Sequence, residues 1–249
     1  MRGVRPLPPD RLAPLVAAPS PSGVATLLDF HMTKRIAFIH ATPVSMGPIS
    51  RSVEEFWPEI ESLNLLDDSL SPDRARSPEL TSHLAERIGG LADYAANAGA
   101  EGILYTCSAF GPAIEVVARR MAIPVLKPNE AMFENAIAIG GRVAMLYTFG
   151  PAGRSMGLEF GQQAKAAGSS ATLDSILVEG AIAASNGGDE ATHNRLVAET
   201  AAGLSGYSAI ILGHFSTARA RKDVEARVSV PVLSSPDAAI HKLKSILER

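Results

Sequence analysis

The amino-acid sequence predicts an α/β fold with two pseudo-twofold-related domains, each a short parallel sheet flanked by helices, and a functional site in the cleft between them. One observation is an internal repeat: a shift of 107 positions, from Arg35 to Arg142, aligns three strand-like apolar segments without a gap. The aligned pairs are 35–39 with 142–146, 103–107 with 210–214 and 123–126 with 230–233. The other observation is that short apolar segments alternate with segments of helical spacing, which is typical of parallel sheets covered by helices.

The first half of the chain contains four expected strands, at 36–41, 62–66, 103–107 and 124–126. The first is a mostly apolar run, as expected for a strand that is buried on both faces. Apolar residues at helical spacing predict a helix over 78–98, with Gly99 as its stop. Further helices are expected from Pro112, because proline is tolerated at the first helical position, and from Asn129 or Glu130.

The second half repeats this order, with strands at 143–148, 172–178, 209–214 and 232–233 and helices at 154–167, 191–204, 217–228 and from Asp237 onward. We therefore expect one domain at 33–138, a second at 139–235, and a C-terminal helix at 236–249 that can pack back on the first. Ligands of open parallel sheets bind at the carboxyl ends of the strands, so the site is expected there.

Residues 1–31 are not expected to belong to the fold. Six prolines interrupt the segment, so none of its apolar stretches reaches the length that a secretory signal needs. We interpret it as a disordered tail or as the product of an upstream start codon. In the second case Met32 is the true first residue, because the sequence after it leads directly into a strand.

Composition excludes several classes of partner. The net charge is −3 and no segment clusters Lys and Arg among aromatic residues, so neither nucleic acid nor a membrane surface is an expected partner. No apolar run reaches the ~20 residues of a membrane helix. A single cysteine cannot form an internal disulfide, which fits a reducing compartment. The expectation is a soluble, cytoplasmic protein.

Cys107 is the first candidate catalytic residue. It follows a strand and precedes a helix start, where unpaired backbone N–H groups and the helix dipole favour a thiolate and lower the thiol pKa. The same N–H groups, together with the Ser108 hydroxyl, can hold a carboxylate. The alternative is that the cysteine is a small buried apolar side chain, which is the commonest use of a free thiol.

His214 occupies the equivalent position in the second half and is the second candidate. An imidazole there can exchange a proton on the face of a ligand opposite the thiol. The alternative is a structural histidine. Cys107 and the histidines at 40, 83 and 193 lack the spacing of metal ligands, so no metal is expected. The glycines at 150–153 do not form a phosphate loop, so no nucleotide cofactor is expected.

The loops after the strands supply the candidate binding residues. Hydroxyls there can contact a carboxylate or an amide, and aromatic side chains can form an apolar wall, although a turn hydrogen bond is the commoner role of such hydroxyls. The candidates are Thr42, Pro43, Ser45, Ser108, Ala109, Phe110, Thr148, Phe149, Phe215 and Ser216.

From residue 33 to the C-terminus the chain resembles the cofactor-independent aspartate/glutamate racemase superfamily, which includes hydantoin racemases, maleate isomerases and arylmalonate decarboxylases. The resemblance rests on the repeat, on Tyr105-Thr106-Cys107-Ser108, on Ile211-Leu212-Gly213, and on Leu146-Tyr147-Thr148-Phe149 with Ser155 following. The family places one cysteine at the mouth of each half, and the pair moves an α-proton across a carbanionic intermediate. Cys107 matches the first cysteine, whereas His214 stands at the place of the second.

The resemblance implies a racemase or isomerase of a small carboxylate or cyclic amide that works without a cofactor and forms a homodimer. Because His214 replaces a cysteine, a symmetrical two-thiol reaction is not expected. The first loop also lacks the acidic, glycine-rich form of glutamate racemases, which argues against amino-acid substrates. The alternatives are a lyase or decarboxylase with one cysteine as proton donor, and a non-catalytic carboxylate-binding sensor.

Overall fold

Two four-stranded parallel sheets form the centre of the computed structural model, which describes residues 33–77 and 79–249. The first sheet has the order β2-β1-β3-β4, with β1 Arg35–His40, β2 Glu61–Leu66, β3 Gly102–Tyr105 and β4 Val125–Leu126. The second has the order β6-β5-β7-β8, with β5 Arg142–Tyr147, β6 Thr172–Leu177, β7 Ala209–Leu212 and β8 Val232–Ser234. The expectations for residues 1–31 and for Met32 lie outside the described residues.

The internal repeat is visible in the strand pairing. Ile36 pairs with Gly102 in the first sheet, and Val143 pairs with Ala209 in the second, so both partners move by the same 107 positions. The strands β2 and β6 depart from this offset, because they begin at residues 61 and 172, which are 111 positions apart. The predicted fold class, two related α/β units with parallel sheets, is confirmed.

Ten α-helices and three short 3₁₀ turns connect the strands within the described residues. The helices are α1 Met46–Phe56, α2 Leu70–Ala75, α3 Ser82–Asn97, α4 Gly111–Arg120, α5 Glu130–Ile139, α6 Gly150–Ala166, α7 Ala181–Asn186, α8 Glu190–Ala202, α9 Arg221–Glu225 and α10 Ser235–Leu247. The 3₁₀ turns are Pro43–Ser45, Ser108–Phe110 and Phe215–Ala220. None of the helices in 33–77 and 79–249 combines the length and the apolar character that crossing a membrane requires.

Several element boundaries differ from the sequence prediction. The helices α1, α2 and α7 were not predicted, and the single helix expected at 217–228 is wrong, because a 3₁₀ turn and α9 share that segment. The strands expected at 103–107 and 209–214 end earlier, at Tyr105 and Leu212. Cys107 and His214 therefore lie beyond the strand ends, each at the residue that precedes a 3₁₀ turn.

Alternation along the buried strands sends side chains to both faces of each sheet. In β1, Ala37 and Ile39 pack toward α3 and α4, while Ile36 and Phe38 pack on the opposite face. The closing helix α10 contributes to that opposite face through its buried residues Ala239, Ile240 and Leu243. The division at 33–138, 139–235 and 236–249 stays a prediction.

Candidate active site

The loops at the carboxyl ends of the central strands enclose a cavity of about 250 Å³. The first half supplies Thr42, Val44, Ser45, Thr106, Cys107, Ser108, Pro128 and Asn129 to its lining. The second half supplies Thr148, Phe149, Ile182, His214, Phe215 and Ser216. Cys107 and His214, which the sequence repeat relates, therefore line one cavity, and each comes from a different half of the chain.

Nine of the twelve candidate residues named from the sequence line this cavity. They are Cys107, His214, Thr42, Ser45, Ser108, Thr148, Phe149, Phe215 and Ser216. Three others do not. Phe110 is buried in the apolar cluster between the first sheet and its helices, and the side chains of Pro43 and Ala109 are exposed at the surface.

Five lining residues were missed by the sequence reasoning: Val44, Thr106, Pro128, Asn129 and Ile182. Asn129 follows the fourth strand, so the rule that located Cys107 also applied to it and would have found it. Thr106 directly precedes Cys107 and could have been read from the same loop. Ile182 lies on α7, a helix that was not predicted, and the sequence carried no signal for its place.

A larger cavity of about 570 Å³ lies between α1 and the segment 218–222, but none of the predicted site residues reaches it. Several of its charged lining residues are paired with one another: Arg221 contacts Glu55 at 2.6 Å and Asp237 at 3.3 Å. Such pairing is typical of a structural ion-pair network. The smaller cavity with the thiol and the imidazole is therefore the better candidate for chemistry.

Cys107 has ordinary extended backbone angles, φ −126° and ψ 120°, and its side chain is half-buried. Burial raises the pKa of the Cys107 thiol, because it disfavours the charged thiolate. The backbone N–H of Ala109 and the positive charge of Arg74 act in the opposite direction but do not prevail. The expectation of a lowered thiol pKa is therefore wrong, because loss of solvent outweighs the local N–H groups.

His214 has the backbone angles φ 72° and ψ 146°, and it is the only residue other than glycine with a positive φ in 33–77 and 79–249. This region is almost exclusive to glycine, and holding a side chain there costs about 1–3 kcal/mol. The ring atom Nε2 is buried without a hydrogen-bond partner. Burial lowers the pKa of His214 to about 4, so the imidazole is neutral at pH 7. A strained backbone and an unpartnered ring nitrogen in one residue at a cavity indicate a functional residue more than a structural one.

A buried polar cluster lies beneath the cavity at the end of β1. The His40 ring is fully buried, and its Nδ1 lies 2.9 Å from Ser45 Oγ and 3.0 Å from Thr106 Oγ1. Its Nε2 lies 3.0 Å from Asn64 Oδ1 on β2. Burial lowers the pKa of His40, so this ring is also neutral at pH 7. Because Ser45 and Thr106 line the cavity, the cluster forms its polar floor.

The cavity lining contains no Lys, Arg, Asp or Glu among the residues that the structure describes. Recognition there depends on hydroxyls, amides and backbone N–H groups. One source of N–H groups is the start of α6, which follows Thr148 and Phe149. Gly150 has a backbone N–H there without a helical partner, whereas Pro151 has no N–H and the N–H of Ala152 donates to the Phe149 carbonyl oxygen. These neutral donors can hold an anion without a cationic side chain.

The fold and the cavity together define a duplicated α/β protein of the racemase type. The chain belongs to the Asp/Glu/hydantoin racemase family, whose sequence model matches residues 46–243. No curated protein is a significant match to the sequence.

Solved structures share the fold. Glutamate racemase RacE1 from Bacillus anthracis has a TM-score of 0.66 at 13% identity, covering 88% of this chain and 83% of its own. Allantoin racemase from Klebsiella pneumoniae has a TM-score of 0.62 at 20% identity, covering 87% and 88%. An aspartate racemase homologue from Pyrococcus horikoshii has a TM-score of 0.65 at 18% identity, covering 87% and 100%. At such identities the similarity establishes the fold alone.

Proposed function

We propose that this protein is a cofactor-independent racemase or isomerase of a small carboxylate or cyclic amide, and that Cys107 and His214 exchange the proton. The observation that carries the proposal is the shared cavity: Cys107 from one half and His214 from the other, with its strained backbone and unpartnered Nε2, line the same uncharged space. Membership of a racemase family supports the reaction class. In this proposal His214 takes the place of the family's second cysteine.

The protonation states of the two residues assign their starting roles in this proposal. The pKa of His214 is about 4, so its neutral ring is a proton acceptor, and the raised pKa of Cys107 keeps its thiol protonated as a donor. In one turnover the C–H electron pair stays on the substrate carbon as the proton moves to His214, and the Cys107 S–H proton is delivered to the other face of that carbon. The products are the inverted substrate, an imidazolium and a thiolate. The reverse reaction, or proton exchange with water, restores the neutral pair.

The transient negative charge on the substrate needs stabilisation. The hydroxyls of Thr42, Ser108 and Thr148 are neutral donors in the lining, and the backbone N–H of Gly150 directly follows the lining residue Phe149. Preorganised donors of this kind stabilise an enolate more than the ground state, because the charge develops during the reaction.

The lining also restricts the substrate. An amino acid would bring an ammonium group into a cavity without a carboxylate to pair with it, and burying an unpaired charge is costly. Val44, Phe149, Ile182 and Phe215 instead provide apolar surface. We therefore propose a substrate that carries an apolar substituent and no free ammonium group.

One observation favours a second candidate, a carboxylate-binding sensor without turnover. A sensor has no need of an acidic thiol, and burial raises the pKa of Cys107. The two candidates differ in proton exchange: the racemase incorporates solvent deuterium at the substrate carbon, and the sensor does not.

The test is a screen of small carboxylates and hydantoins in deuterated water, read by mass and chirality together. A racemase returns the same compound, inverted and heavier by one mass unit from the deuterium. A lyase instead gives a different compound with a different mass. Cys107→Ser and His214→Gln should each remove inversion. His193→Gln is the matched control, because His193 is buried with an unpartnered Nε2 but does not line the cavity. Inversion by Cys107→Ser at the wild-type rate would refute the proposed roles.

The cytoplasmic location and the homodimer are also proposals. The homodimer is supported by the family resemblance and is tested by sedimentation velocity of the purified protein. The location is tested by fractionation of the native cells.

A further inference from the structure

The hydroxyl protons of the cavity floor can be accounted for one by one. Ser45 and Thr106 have one hydroxyl proton each, and their oxygens lie 2.8 Å apart. Ser45 Oγ is also 3.0 Å from the Thr42 carbonyl oxygen, and Thr106 Oγ1 is 3.3 Å from the carbonyl oxygen of Ile39. Together with His40 Nδ1, the two hydroxyls therefore have more acceptors within the protein than they have protons to donate.

The state of His40 decides where those protons go. The Asn64 amide oxygen can only accept, so the neutral His40 ring carries its proton on Nε2 and presents a lone pair at Nδ1. One hydroxyl then donates to Nδ1, and the other donates to a carbonyl or to its neighbour. The hydroxyl oxygens of Ser45 and Thr106 then have lone pairs available to a ligand, so the floor accepts hydrogen bonds from the cavity.

Asn64 can reverse this arrangement. Its side chain is exposed on β2, and a half-turn of the amide presents Nδ2 to the histidine in place of Oδ1. Nε2 must then accept, so the ring proton moves to Nδ1 and donates to a hydroxyl oxygen. That hydroxyl is freed to donate into the cavity.

We propose that Asn64, which does not line the cavity, determines specificity through His40 by switching Ser45 and Thr106 between accepting and donating. A carboxylate only accepts hydrogen bonds and requires the donating floor, whereas an amide also donates and is compatible with the accepting floor. The inference rests on the proposed function only for these two substrate classes. The link between Asn64 and the His40 tautomer stands on the hydrogen bonds alone.

The first experiment measures the tautomer without a ligand, from the ¹⁵N resonances of the His40 ring at pH 8.5. The wild-type protein and Asn64→Asp should carry the proton on Nε2, because an aspartate can only accept. Asn64→Leu removes the partner, and the share of the Nδ1–H form should rise at least threefold. An unchanged tautomer in Asn64→Leu would overturn the proposal.

The second experiment compares propionate with propionamide, which are of equal size, by titration at pH 8.5. Asn64→Asp fixes the accepting floor and should weaken propionate about three- to tenfold more than propionamide, the loss of about one hydrogen bond. Ser62→Asp is the control, because it places the same charge on the same face of β2 at another exposed position. Equal weakening of both probes, an equal effect of Ser62→Asp, or no binding of propionate to the wild-type protein would each overturn the specificity claim.

The two proposals fail separately. Binding of both probes with the expected preference, but without deuterium exchange on any substrate, would count against the racemase and leave the switch intact. Conversely, deuterium exchange that depends on Cys107 and His214 would support the racemase. If Asn64→Asp then left the preference between propionate and propionamide unchanged, the switch alone would be refuted.

Discussion

Replacing His214 with glycine should make the protein more stable than replacing it with alanine. Both substitutions remove the imidazole, but alanine keeps a Cβ atom at φ 72° and ψ 146°, a conformation that only glycine adopts without strain. The ordinary expectation is the opposite, because glycine costs about 0.5–1 kcal/mol relative to alanine through the entropy of the unfolded chain. The sign of the difference therefore reports the strain.

The magnitude follows from the two opposing contributions. Strain of about 1–3 kcal/mol, less the entropic cost of glycine of about 0.5–1 kcal/mol, leaves His214→Gly more stable than His214→Ala by up to about 2.5 kcal/mol, and by about 1 kcal/mol near the middle of both ranges. For a chain of this size, a difference of about 1 kcal/mol corresponds to roughly 2–4 °C in Tm. Urea unfolding followed by circular dichroism measures it, provided the slope of the free energy against denaturant is equal for both variants.

Cys107 supplies the matched control, since it occupies the equivalent place in the repeat with φ −126° and ψ 120°. There the order should reverse, with Cys107→Gly less stable than Cys107→Ala by about 0.5–1 kcal/mol. If alanine is the more stable substitution at position 214 as well, the backbone there is not strained. The structural argument for a functional His214 would then be lost.

Three further outcomes are expected. The pKa of His214 is about 4 in the folded protein and about 6.5 when unfolded, so below pH 6.5 the unfolded state binds the proton first. The free energy of unfolding should therefore fall by about 2 kcal/mol between pH 6.5 and 5. His214→Gln should remove this part of the pH dependence, as measured by urea unfolding at each pH. Alkylation of Cys107 by iodoacetamide should keep accelerating above the pH at which a free cysteine, with a pKa of about 8.5, levels off; a plateau below pH 8 would contradict the effect of burial. Arg221→Met should lower the free energy of unfolding by about 1–3 kcal/mol, because it leaves the carboxylates of Glu55 and Asp237 without their shared partner. The control is Lys222→Met at the exposed neighbouring residue, which should change the free energy of unfolding by less than about 0.5 kcal/mol.

The central sheets could be predicted because their strands are buried on both faces and the chain repeats them. Apolar runs of this kind can be recognised in a single sequence, and the common offset shows which strand of one half corresponds to which strand of the other. The pairing of Ile36 with Gly102 and of Val143 with Ala209 follows that offset.

The missed helix α1 shows where local patterns mislead. Its sequence begins Met46-Gly47-Pro48, which is typical of a turn, yet Pro48 lies in the first turn of the helix, where the absent N–H costs nothing. Ile49 and Val53, four residues apart and both buried, were the available helical signal. The start of α6 repeats the problem, because that helix begins at Gly150, within a segment that resembles a loop.

Some site residues could be predicted from their place in the sequence, and others only from the folded structure. Strand ends located Cys107 and His214, but no pattern joins His40 to Asn64, since their contact depends on the pairing of β1 with β2. The repeat also could not predict how the two catalytic candidates differ. Equivalent positions in the two halves hold a thiol on an unstrained backbone, whose pKa is raised, and an imidazole on a strained backbone, whose pKa is lowered. In the proposed reaction the duplication supplies the place for each group, while local packing makes one a proton donor and the other an acceptor. The resting protein then has the protonation state for one direction of proton transfer, so kcat for the two directions should respond differently to pH, whereas kcat/KM stays equal because two enantiomers have the same free energy.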